Sequence, residues 1–142
     1  MNRKIAAALL TITLTLGCGG VAEAAEKNAT IRLVCVWDYI INTKDLSRTE
    51  ISGENLISVT ELGGGKISFF VDGLGSEFNG NISSEKIDGK TSYTLGTDTT
   101  PKYIETYAIN RFTGVVVRFF KIEGADDSLL QYGKCHPAVK KF

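Results

Sequence analysis

The stretch KYIETYAINRFTGVVVRFFKIE, Lys102 to Glu123, decides how the rest of the chain is read. Two apolar-aromatic runs rich in β-branched residues flank Asn110-Arg111-Phe112-Thr113-Gly114, which is the pattern of a β-hairpin. Gly114 can take the positive φ that closes such a loop, and the Asn110 side chain can accept from backbone two or three residues on. A four-residue loop, Arg111 to Gly114, sets Asn110 opposite Val115. Ile104, Thr106 and Ala108 then share a face with Val115, Val117 and Phe119. The other face carries Tyr103, Glu105, Tyr107 and Ile109 with Val116, Arg118, Phe120 and Ile122. Arg118 stands opposite Tyr107 and diagonal to Glu105, a pairing that stabilises by a few tenths of a kcal/mol. A one-residue change in loop length would exchange all these partners.

We expect the first face to point inward. It holds the small residues Ala108 and Thr106, whereas the second holds a charged pair that an interior accepts only with further partners. On that reading Phe119→Ala costs roughly 3–5 kcal/mol by opening a cavity. Arg118→Ala, as a surface change, costs under about 1 kcal/mol.

Upstream, Thr30 to Tyr39 alternates, with Ile31, Leu33, Cys35, Trp37 and Tyr39 on one face. Trp37, the one tryptophan, is expected in the core with its indole N–H on a carbonyl. Asn42 to Asn55 is polar and reads as a loop, with at most a helical turn around Asp45 to Arg48. Leu56 to Leu62 and Lys66 to Val71 form a second hairpin across Gly63-Gly64-Gly65. Those glycines are a turn and not a phosphate loop, because Thr60 and Ile67 stand where the P-loop needs Gly and Ser or Thr. Glu77 to Ile87 is a weaker strand, Asp88-Gly89 a two-residue hairpin turn, and Thr91 to Leu95 the returning strand. After a Thr- and Asp-containing loop, Gly96 to Pro101, comes the long hairpin. A last strand, Leu129 to Cys135, is stopped by Pro137.

The total is eight short strands joined by glycine-rich turns. This predicts a single all-β domain, an antiparallel meander closed as an eight-stranded barrel, with a two-sheet sandwich as the alternative. An outer-membrane barrel would need strands of about 9–11 residues with a clean lipid-facing row. Several strands here are shorter, and Pro137 and the lysines break up the final segment.

The N-terminus reads as an export signal. Arg3 and Lys4 precede the apolar run Ile5 to Leu16, and Ala22-Glu23-Ala24 supplies the small residues of a cleavage site. The run is too short to cross a bilayer, which takes roughly 20 residues. Cleavage after Ala24 removes 1–24 and leaves 25–142, which is 118 of the 142 residues and enough for one domain. The alternative is a lipid anchor on Cys18, after Leu16-Gly17, although Thr15 stands where lipoprotein signals usually carry Leu.

Losing Arg3, Lys4 and Glu23 from sixteen basic and sixteen acidic residues leaves 14 against 15. So balanced a charge argues against nucleic acid and against electrostatic membrane binding. Cys35 and Cys135 survive cleavage, and an even pair in an exported chain reads as a disulfide, with free buried thiols as the alternative. Such a bridge would tie the first strand to the last, the adjacency that a closed barrel requires. It would stabilise by as much as ~4–5 kcal/mol in the chain-entropy account.

Ile109-Asn110-Arg111-Phe112-Thr113-Gly114 and the tail GKCHPAVKKF, Gly133 to Phe142, together resemble small exported proteobacterial β-proteins. Those carry an Asn/Asp-Arg-x-Thr-Gly hairpin and a tail of cysteine, basic residues and a terminal phenylalanine. The resemblance implies a compartment and a fold more than an activity.

Chemistry is thinly supplied. His136 is the one histidine, without a second histidine or a free cysteine to build a triad or a metal site. Asp126-Asp127 lies in a turn, and Glu77, Glu85 and Asp88 are scattered over solvent-type positions. No catalytic, metal or cofactor-binding residue is assigned, and no cofactor is expected. Arg111, at the hairpin tip, could grip an anion, but reads first as solvating the turn or packing over Phe112.

The function expected is therefore that of a non-catalytic periplasmic or secreted protein binding a small apolar ligand or an envelope protein. The alternative is an inhibitor of an envelope-attacking enzyme. Periplasmic lysozyme inhibitors are similar in size, export signal, disulfide and barrel, but block their target with a Ser-Gly-x-x-Tyr type loop. Lys90-Thr91-Ser92-Tyr93 departs from that motif.

Overall fold

The computed structural model describes residues 28–95 and 101–139. The segment read as an export signal, with Cys18 and the expected cleavage position at Ala24, the loop 96–100 and the tail 140–142 lie outside the described residues.

The described chain forms β1 (Thr30–Asn42), β2 (Arg48–Glu50), β3 (Glu54–Gly63), β4 (Lys66–Val71), β5 (Glu77–Ile82), β6 (Lys86–Thr94), β7 (Lys102–Asn110), β8 (Val115–Ile122) and β9 (Ser128–Pro137). Each strand pairs antiparallel with the next from β3 to β9; β1 pairs with β3 on one edge and β9 on the other. The result is a closed eight-stranded barrel with β2 as an extra strand. β2 continues the edge of β1 that β3 leaves, opposite Tyr39, Ile40 and Ile41.

The long hairpin has the register read from its loop: Ile109 opposes Val116, Tyr107 opposes Arg118 and Tyr103 opposes Ile122. Asn110 Oδ1 accepts from the N–H of Phe112 and of Thr113, both at 2.9 Å, and Gly114 has φ of 72°. This side-chain cap fixes the loop length, and the loop length fixes which residues face each other.

The direction of the two faces is the reverse of the expectation. Glu105, Tyr107, Ile109 and Val116 are buried inside the barrel, while Val117 and Phe119 lie on the outer surface beside Tyr132 and Leu130. Size and charge misjudged the choice because the charged pair meets hydrogen-bond partners from strands outside the hairpin. A fully partnered ion pair can be buried where a lone one cannot.

Three local readings also change. β1 runs on to Asn42 with a bulge between Trp37 and Tyr39, so Trp37 points inward but Tyr39 does not. Tyr39 instead stacks on Tyr132 outside, centroids 5.0 Å apart, with the Arg48 guanidinium 3.8 Å above it. The polar stretch after it turns at 43–45, with Leu46 N–H donating to the Asn42 carbonyl at 2.9 Å, and then contains β2, a strand not expected there. Finally, Asp88-Gly89 lies inside β6; the turn is at Ser83–Glu85, where Ser83 Oγ accepts from the N–H of Glu85 and Lys86. Gly89 is a glycine for packing: a Cβ there would sit 2.8 Å from the Phe78 ring and 3.2 Å from that of Phe69.

Those rings, with Tyr107, form an aromatic cluster with centroids 5.0–5.9 Å apart. Together with Cys35, Trp37, Ile57, Val59, Ile67 and Val116 they fill the middle of the barrel. Trp37 Nε1 donates to the amide oxygen of Asn55 at 2.7 Å. The Cys35–Cys135 disulfide joins directly opposed positions of β1 and β9, first strand to last, as expected. Open space lies at the two ends. The lower end is rimmed by the β5–β6 and β7–β8 turns, the upper by the end of β1 and the start of β9.

Candidate functional site

β7 and β8 bring two charged side chains together toward the upper end. Arg118 Nε donates to Glu105 Oε2 at 3.0 Å and Nη2 to Oε1 at 2.8 Å, a two-point clamp. The Tyr93 hydroxyl, from β6, donates to Oε1 at 2.6 Å, and the Tyr107 hydroxyl donates to Oε2 at 2.7 Å. Glu105, with 0% of its surface exposed, thus accepts four hydrogen bonds. Arg118 Nη1 donates in turn to Gln131 Oε1 at 3.0 Å on β9. The guanidinium also stands 5.8 Å from the ring centroids of both Tyr107 and Phe120.

The electrostatics follow from this geometry. Burial by itself raises the Glu105 pKa, but the hydrogen bonds from Arg118, Tyr93 and Tyr107 outweigh it, and the carboxyl is held below its ordinary value. For Arg118 burial acts downward, and the bond to Glu105 reverses it, so the guanidinium is charged more firmly than usual. Tyr93 is pushed up to about 12 by burial and then by the carboxylate it serves. Tyr107 is raised too, burial again leading. None of these groups is brought toward neutral pH. The cluster holds charge in place and is poorly suited to moving protons.

At the lower end, Ile31, Leu33, Ile87 and Ile109 surround a cavity of about 200 Å³, rimmed by Asn110, Arg111, Gly114, Cys135 and Pro137. Arg111 neither solvates its turn alone nor packs on Phe112: its Nη1 donates to the Ser83 carbonyl, and its N–H donates to the Glu85 carbonyl at 2.8 Å. It therefore ties the β7–β8 turn to the β5–β6 turn and fixes one lip of the cavity.

The remaining residues considered in the sequence do not converge. His136 is exposed on β9, and Asp126 and Asp127 lie in the β8–β9 connection. Glu77 accepts from Ser68, and Asp88 pairs with Lys86 at 3.0 Å. Lys90 to Tyr93 lies within β6, not in a loop, with Tyr93 turned to Glu105. Among the described residues no group of three His, Cys, Asp or Glu side chains could hold a metal, and no helix is long and apolar enough to cross a membrane.

The Glu105 cluster itself was half visible in the sequence, as a cross-strand diagonal. Tyr107 was in view on the same face, but Tyr93 and Gln131 carry no local signal there. No protein-family model matches the chain, and no curated protein and no solved structure matches it significantly.

Proposed function

We propose that this is an exported, periplasmic or secreted, non-catalytic barrel that binds one small apolar ligand at its lower end. One observation carries the reading: the cavity of about 200 Å³ walled by Ile31, Leu33, Ile87 and Ile109. An apolar space of roughly 150 Å³ takes benzene, so this pocket, which is open at its mouth, suits a ligand of about that size. A small apolar pocket with few polar groups at its rim is the common form of a ligand site. Export is supported by the disulfide, since such bonds persist in oxidising compartments.

Toluene titrated into ¹³C-methyl-labelled protein tests it. The methyl signals of Ile31, Leu33, Ile87 and Ile109 should shift and saturate together. Leu33→Phe, whose ring would occupy the space, should remain folded and lose the response. Methyl signals at this end that stay unmoved by toluene would end the reading.

A further inference from the structure

We propose a second binding site at the opposite, upper end of the barrel, which takes a ligand of about one ring in size bearing an uncharged hydrogen-bond acceptor. The space is a separate cavity of about 200 Å³ lined by Ile40, Arg118, Phe120, Leu129 and Gln131. Arg118, Gln131 and Ile40 are direct neighbours across β8, β9 and β1, and Phe120 and Leu129 are neighbours in the adjoining row. Three walls are apolar, and the polar wall is Arg118 with Gln131.

Counting hydrogen-bond donors on that wall sets the chemistry of the ligand. A guanidinium has five N–H bonds. Among the described residues Arg118 uses three: Nε and Nη2 toward Glu105, and Nη1 toward Gln131. One N–H on each terminal nitrogen is left, and 26% of the side chain is exposed. Gln131 accepts with its oxygen, so its amide nitrogen is left as a donor as well. Gln131 Oε1 keeps a second lone pair, but the N–H bonds left on Arg118 and Gln131 outnumber it, which favours a ligand that accepts.

Charge decides between an anionic and a neutral acceptor. The Glu105 carboxylate already holds the guanidinium at two points, and it has no exposed surface over which water could screen it. A ligand carboxylate would place a second negative charge near the first without a second cation among the lining residues. A ketone, ester or amide oxygen takes the spare N–H bonds without that repulsion. The clamp and the flanking Tyr107 and Phe120 rings hold the guanidinium in place, so it needs no reordering when the ligand arrives.

Acetophenone, benzoate and ethylbenzene share one ring and differ in the feature at issue. Each is titrated at pH 7 into labelled mature protein, reading side-chain N–H signals of Arg118 and Gln131 and methyl signals of Ile40 and Leu129. Acetophenone should shift all four in one saturable process. Ethylbenzene, which has no acceptor, should bind at least about tenfold more weakly, the difference expected of one hydrogen bond to a charged group. Benzoate should bind more weakly than acetophenone because its charge is set against that of Glu105. Leu129→Trp should abolish the acetophenone response here, and Ile40→Phe serves the same purpose if the tryptophan variant does not fold. Benzoate binding as tightly as acetophenone would overturn the neutral-acceptor assignment. Shifts confined to Ile31, Leu33, Ile87 and Ile109 would overturn the second site and leave the lower one standing.

Discussion

Arg118→Ala removes three hydrogen bonds at once, two from the Glu105 carboxylate and one from Gln131. What remains is a carboxylate with 0% exposure, held by two tyrosine hydroxyls and facing no cation among the side chains bonded to it. Breaking a buried pair by deleting one partner costs about 3–5 kcal/mol. Arg118 is 26% exposed, so water can enter behind the truncated side chain, and the lower end of that range, about 3 kcal/mol, is expected. Phe119 is one residue away but on the outer surface, opposite Thr106 and Leu130 and half-buried. Its truncation forfeits about half of a full aromatic burial, about 1 kcal/mol. Urea denaturation of both variants, compared at constant m, orders them. The double variant Glu105→Gln/Arg118→Met should recover much of the loss, because no uncompensated charge is left inside. If Arg118→Ala costs under about 1 kcal/mol while Phe119→Ala costs several, the inward face has been assigned backwards.

The folded-state pKa of Glu105 lies below its unfolded value, so the stabilisation it brings is complete above the unfolded pKa and is lost as pH falls through the folded one. Acid denaturation should steepen below the ordinary carboxylate range, and Glu105→Gln should flatten that limb. Tyr93 is displaced the other way, from 10.0 to about 12; its contribution is whole below the unfolded value and disappears between the two as pH rises. Ultraviolet titration should find its ionisation late, and Tyr93→Phe should remove that late step. Gly89→Ala forces a methyl group against the Phe69 and Phe78 rings and should cost about 1–3 kcal/mol by chemical denaturation. Intact mass should show the purified protein two hydrogens below its reduced form, with no thiol of Cys35 or Cys135 labelled before reduction.

Which parts of this architecture could be read from residues alone depends on how far apart the causes lie in the chain. The β7–β8 register was legible because Asn110, Thr113 and Gly114 specify their loop within five residues. The closed barrel was legible from strand count and from two cysteines placed in the first and last strands. Asp88-Gly89 misled for the opposite reason. The dipeptide is a strong local turn signal, and it was overridden by two rings from β4 and β5 that need the space beside Gly89. The inward face of the long hairpin was hidden in the same way. Glu105 and Arg118 were seen as neighbours, but the groups that make their burial tolerable arrive from 12 and 13 residues away on β6 and β9. Residue size, judged strand by strand, has no access to that.

The bulge in β1 shows how one such non-local adjustment shapes a site. Up to Trp37 the strand pairs so that Trp37 faces Gly133. Continued without interruption, that register would put Tyr39 opposite Gln131, with its ring pointing inward beside Arg118. The extra residue, Asp38, advances the pairing by one, so Ile40 takes the place opposite Gln131 and Tyr39 turns outward onto Tyr132. The displaced backbone does not go unpaired: Trp37 N–H donates to the Gly53 carbonyl at 2.9 Å, and Ile51 N–H donates to the Asp38 carbonyl at 3.0 Å. β2 then pairs along the same edge, and its Arg48 covers the exported Tyr39 ring. An aromatic ring is thereby exchanged for a branched aliphatic one position along, at the wall of the upper cavity. The space beside the spare N–H bonds of Arg118 is open because β1 slips by one residue there.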